Sequence, residues 1–187
     1  ASGNYSLAVG SNSQASAENA QALGDKAIAS GHSSFSAGAN SKATNTNSVA
    51  IGTGSSSVNT STLALGTIAR ASGFQSTAIG FNANASAYDS VAVGAQSIAN
   101  ANNTIAFGTS SKATSQGAMA FGLESQSSAD DSIAIGFKAL ANQDNSTAIG
   151  SRSKATGVRS IAFGQQATGS GLDSIAIGYL SNAVDRD

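Results

Sequence analysis

Residues 131–136 read DSIAIG, and the same six letters return at 173–178. Near copies precede and separate them: NSVAIG at 47–52, DSVAVG at 89–94, NSTAIG at 145–150 and RSIAFG at 159–164. The glycines that close these copies belong to a longer series: Gly10, Gly24, Gly38, Gly52, Gly66, Gly80, Gly94, Gly108, Gly122, Gly136, Gly150, Gly164 and Gly178. Every interval is 14 residues, with no insertion or deletion. Self-similarity at a fixed period is the mark of a stacked-repeat architecture.

Composition alone points elsewhere. With no Pro, Cys or Trp, 10% charged and 5% aromatic residues, the chain resembles low-complexity sequence that buries too little apolar surface to offset chain entropy. The strict register of the Gly and Ala columns overturns that reading. A net charge of −1 gives no electrostatic case for nucleic acid or an anionic membrane surface as partner. No apolar run approaches the roughly 20 residues that span a bilayer as a helix. Without cysteine there is neither a disulfide framework nor a CxxC metal site.

Numbering each repeat from its glycine as position 0, position −2 is Ala in every copy but one, where Ser36 stands. Position −4 is Ser, Thr or Ala, +3 is Ser or Ala, and +5 is nearly always Ala. The bulky residues fall at −3 and −1. Alternation of small and large over five residues is the period-2 signal of a strand. A coiled coil also divides 14 evenly, but residues two apart are not neighbours on a helix, and a glycine per repeat costs a helix about 0.8–1 kcal/mol each. Each repeat is therefore one coil of an all-β parallel solenoid of about 13 coils. The expected strands cover −4 to 0 and about +3 to +6, and the small residues at +7 (Gly31, Gly73, Gly157) mark the return turn.

So flat a coil holds only Ala, Ser and Gly between its strands. Positions −4, −2, 0, +3 and +5 are expected to point inward, and −3 and −1 outward. At about 4.8 Å per coil the stack makes a rod about 60 Å long with one apolar stripe. That stripe comprises Leu7, Val9, Val49, Ile51, Leu63, Leu65, Ile79, Val91 and Val93. It continues through Ile105, Phe107, Met119, Phe121, Ile133, Ile135, Ile149, Ile161, Phe163, Ile175 and Ile177. A soluble monomer rarely exposes so large an apolar patch, so the stripe is expected to be an oligomer seam between identical chains. Gln21, Thr77 and Thr147 interrupt it at −3; amides at Gln21 are expected to satisfy one another or water. The chain starts and stops within a repeat and shows no cap for its terminal edges, so residues 1–187 read as a single repeat domain within a longer fibrous protein.

The motif NSVAIG at 47–52, with Ser55 three residues on, resembles the head repeat of the YadA-type trimeric autotransporter adhesins of Gram-negative bacteria, and the resemblance covers all 13 copies. The closing SNAVDRD at 181–187 is similar to the lead-in to the last head repeat before that family's neck. The resemblance implies a left-handed parallel β-roll, three chains about a three-fold axis, and display at the cell surface beyond the outer membrane. It also implies a neck, stalk and membrane anchor following this stretch, and adhesion to host cells or extracellular-matrix proteins. Handedness and the number three rest on the resemblance alone.

Little in the chain suggests catalysis, a cofactor or a metal. His32 is the only histidine; it falls in a turn at −6, where other repeats carry Glu18, Phe74 or Tyr88, and reads as solvated. GTGS at 52–55 lacks the Lys and the strand–loop–helix setting of a phosphate loop. The turn acids Asp89, Asp130, Asp131, Asp144 and Asp173 are not spaced as calcium ligands. The candidate ligand surface is the outward position +4, where Lys42, Arg70, Lys112 and Lys154 are interleaved with Ile28, Ile98 and Leu140. This mixed ladder suits an extended partner such as a collagen-like strand held by many weak contacts. Phe74, Phe81, Tyr88, Phe137 and Tyr179 are rival contact points, or pack at the edges of the seam. A phage or viral fibre shares the same physics, an ice-binding solenoid would need a regular TxT array, and a solenoid enzyme would have only His32 to offer.

Overall fold

The computed structural model describes residues 1–184; the last three residues of SNAVDRD lie outside them. The chain is all-β, and its two compact units are Ala1–Gln96 and Ser97–Asp187. In the first, seven three-residue strands from Leu7–Val9 to Val91–Val93 form one parallel sheet, and six two-residue strands from Gln14–Ala15 to Asn84–Ala85 form a second. In the second unit the corresponding sheets run from Ile105–Phe107 to Ile175–Ile177 and from Ile98–Ala99 to Asn182–Ala183. Each strand pairs with its counterpart one repeat away. Val49, Ala50 and Ile51 align with Leu63, Ala64 and Leu65, and Ser56 aligns with Arg70.

The strands occupy −3 to −1 and +4 to +5 only, as in Val49–Ile51 and Ser56–Ser57, and so are shorter than the sequence suggests. The residues just outside them close the turns. Ser111 Oγ donates to the Gly108 carbonyl at 2.8 Å, and Ser48 Oγ to the Asn45 carbonyl at 2.6 Å. Where positions +3 and −4 carry a hydroxyl residue, it can bond the carbonyl three residues back. Where a further hydroxyl enters the interior the two pair, as in Ser57···Thr62 and Ser127···Ser132, both 2.6 Å. The exceptional Ser36 is fully buried and bonds Ser41 at 2.6 Å. Among the described residues, Ser34, Ser55 and Ser174 keep a buried Oγ without a partner.

The interior is a column of alanines and serines, whose largest fully buried side chains are Thr62 and Thr104. Such side chains supply little hydrophobic energy, so each unit stands chiefly on its coil-to-coil backbone ladder. The facing of −4, −2, +3 and +5 is as the alternation predicts. The repeat glycine is a correction: it is expected inside, but it lies partly or fully exposed in the turn with φ between +116° and +140°. The return-turn glycines differ again. Gly73 has no positive φ, and is needed because a Cβ there would meet the Ala87 carbonyl oxygen at 1.8 Å.

Among the described residues the left-handed backbone falls instead at +2 and +9 of the repeats, where 24 non-glycine residues have φ of 50–58°. Asn and Asp tolerate this conformation, whereas other residues pay for it. The stack enforces it through bonds to the preceding coil: Lys26 N–H donates to Ser11 O at 2.7 Å, and Asn47 N–H to His32 O at 2.9 Å. Ile68, β-branched and 39% exposed, is held at φ 53° in the same way. Ile68→Asn is expected to relieve about 1 kcal/mol of backbone strain and raise the melting midpoint by about 2–4 °C. Thermal circular dichroism checks this; an unchanged or lower midpoint would mean that no strain is stored there.

Candidate functional site

Each unit presents two outward faces and two turn edges. On the first face stand the residues of −3 and −1, and none of the 20 proposed seam residues is buried. Phe107 is 52% exposed, and its ring stacks on that of Phe121 with centroids 6.0 Å apart. The bulk of each unit's large apolar side chains therefore lies outside its core. Gln21 is exposed on the same face.

On the second face, Lys42, Arg70, Lys112 and Lys154 are exposed while Ile98 and Leu140 are partly covered. Strand register sets Ile98 beside Lys112 and Leu140 beside Lys154. Gln126 separates Lys112 from Leu140 along the ladder, so apolar and cationic groups alternate. Arg152, Lys154, Gln166, Thr168 and Leu180 line a shallow cleft of about 190 Å³.

The turn edges are organised by stacking of residues 14 apart. Phe74 and Tyr88 stack at 5.4 Å with planes 12° apart. Lys138 and Arg152 sit over the Phe137 ring at 5.2 and 5.3 Å, while Phe81 and Tyr179 are exposed. His32 Nε2 lies 3.7 Å from Glu18 in the same column and is well exposed. Lys138 pairs with Glu124 at 3.4 Å, and Arg159 forks onto Asp173 at 2.5 and 2.7 Å. The hydrogen bonds from Arg159, helped by its charge, hold the Asp173 carboxyl below the usual carboxylate range, and Asp173 raises Arg159 in turn. The Asp130 N–H donates to Asp144 Oδ1 at 3.3 Å. Among the described residues no three His, Cys, Asp or Glu side chains are grouped to hold a metal ion. These column pairs escape a reading of each repeat in isolation, although their signal, the same position in successive repeats, is present in the sequence.

Known proteins can now be set beside this geometry. The family profile described as the YadA head domain repeat (2 copies) matches residues 1–27, 29–55 and 59–83, then overlapping windows from 71–97 to 155–181. No curated protein matches significantly. A solved structure, the collagen-binding domain of the Yersinia adhesin YadA, is 40% identical with a TM-score of 0.56. That match covers 62% of this chain and 64% of the other, so this chain spans somewhat less than two thirds of that relative's length. With a profile matched along nearly all of its length and a parallel solenoid built on the same repeat, the chain belongs to the YadA head repeat family.

Proposed function

We propose that this chain is the adhesive head of a surface fibre of a Gram-negative bacterium. In this reading three copies assemble about one axis through the −3/−1 ladder, and the fibre attaches to host extracellular-matrix proteins, collagen-like strands foremost. The observation that carries it is the outward ladder of Val, Ile, Leu, Met and Phe beside a core of Ala and Ser. Each Val, Leu or Ile covered by a neighbour contributes on the order of 1.5–3 kcal/mol gross, which a unit with so small an interior obtains in no other way. The number three comes from the family, and collagen from the named domain of the Yersinia relative.

The opposite face is the ligand surface in this reading. Its cations and aliphatic groups at +4 recur along each unit and across three chains, so that individually weak contacts act together. Purified 1–187 is expected to bind an immobilised triple-helical collagen peptide and not its heat-denatured form. Replacing Lys42, Arg70 and Lys112 together by Ala is expected to weaken binding at least about tenfold, a factor within the usual range of avidity gains. No binding to the triple helix would overturn the collagen reading, and undiminished binding by the variant would move the contact off the +4 face.

A further inference from the structure

Charge is segregated between the two turn edges. In the unit Ser97–Asp187, Lys138 and Arg152 occupy +2, on the edge where the first strand leads into the second, and Lys112 and Lys154 stand beside that edge at +4, the first residue of the second strand. Asp130, Asp131, Asp144 and Asp173 occupy −6 and −5, on the opposite edge. Among the described residues each edge carries one residue of the other sign, Glu124 and Arg159, and each is ion-paired within its own column. What is left is Lys112, Arg152 and Lys154 against Asp130, Asp131 and Asp144, none of them in an ion pair among the described residues. The unit Ala1–Gln96 has the same polarity. Lys26, Lys42 and Arg70 lie at +2 and +4, Glu18 and Asp89 at −6 and −5, and Asp25 at +1 is the exception.

A closed ring of identical chains is heterologous: rotation brings one edge of each protomer against the other edge of the next. With the apolar ladder toward the axis, the +2/+4 edge of every protomer faces the −6/−5 edge of its neighbour. Asp144, Arg152 and Lys154 all belong to the coil around Gly150, so parallel chains in register bring opposite charges to one level. We propose that a second copy of this chain docks its acidic edge on this basic edge, with a carboxylate such as the partner subunit's Asp144 entering the cleft of Arg152, Lys154, Gln166 and Thr168. The proposal rests on the trimeric reading above and adds a function to the charges. The apolar ladder is periodic, so a slip of one coil, about 4.8 Å, leaves apolar against apolar. The charges are not periodic: a slip of one coil in one direction sets Arg152 and Lys154 against Val158 and Arg159, and in the other against Asp130 and Asp131. They therefore oppose a slip in the first direction, where like charges meet.

The test uses 1–187 and three variants: R152D/K154D, D130K/D144K, and the four substitutions combined. All four side chains project outward, so each variant should keep the parent's β-type circular dichroism. At low salt each double variant is expected to lower the trimer's melting midpoint by at least about 4 °C, and the combined variant to return it to within about 2 °C of the parent. At about 1 M salt, where the screening length is about 3 Å, the differences should shrink. Additive losses in the combined variant, or an unchanged midpoint in R152D/K154D, would overturn the pairing and leave the basic edge as free surface for an anionic ligand. Light scattering separates this from failure of the trimeric reading. A parent that is monomeric at every concentration sinks the trimer itself, whereas a trimer with additive losses sinks only the edge pairing.

Discussion

Gly122→Ala is expected to lower the melting midpoint by at least about 6 °C, whereas Gly54→Asn in the same chain should leave it unchanged or raise it slightly. Gly122 holds φ +133°, and a Cβ there would lie 2.5 Å from the Gly136 carbonyl oxygen, which belongs to the backbone of the next coil. That oxygen cannot rotate away. The substitution thus adds a steric clash to roughly 1–3 kcal/mol of backbone strain, and a chain of this size loses about 2–4 °C per kcal/mol. Gly54 has φ +65°, in the column where other repeats place Asn, and its nearest obstacle is the Ile68 methyl at 3.2 Å. Asn there restricts the unfolded chain and fits the folded one. Thermal melts of the two variants beside the parent decide the matter. Equal effects would mean that the repeat glycine serves flexibility and not close approach.

If three chains assemble through the −3/−1 ladder as proposed, placing Asp at both Phe107 and Phe121 is expected to convert the trimer into folded monomers. The two rings stack on the outward face, so their loss leaves the Ala and Ser interior untouched. Each chain forfeits the burial of two aromatic side chains, on the order of 1.5–3 kcal/mol apiece, and brings carboxylates to the axis, where unpaired charge is costly. A loss of about 3 kcal/mol already weakens association more than a hundredfold. In light scattering over a dilution series, the variant should fall to the mass of one chain at concentrations where the parent stays near three, with its circular dichroism unchanged. A variant that remains trimeric would show that chains associate through another face.

Much of this was legible in the sequence. The 14-residue register of Gly, Ala and Ser columns, with bulky residues at −3 and −1, determined a parallel solenoid and the side its large residues must take, because a flat coil has no room for them inside. The turns were decided only in the folded stack. Lys26, Ile68 and Leu180 have no local preference for the left-handed region, yet they adopt it because each N–H is drawn to a carbonyl of the preceding coil. The repeat glycine lies in the turn and not inside, contrary to what the alternation suggests, because its role is set by the coil above it and not by its own neighbours in sequence. The two opposite-signed edges also depend on tertiary structure. Residues 14 apart become neighbours only when coils stack, and charges such as Lys138 and Glu124 cancel only across that contact.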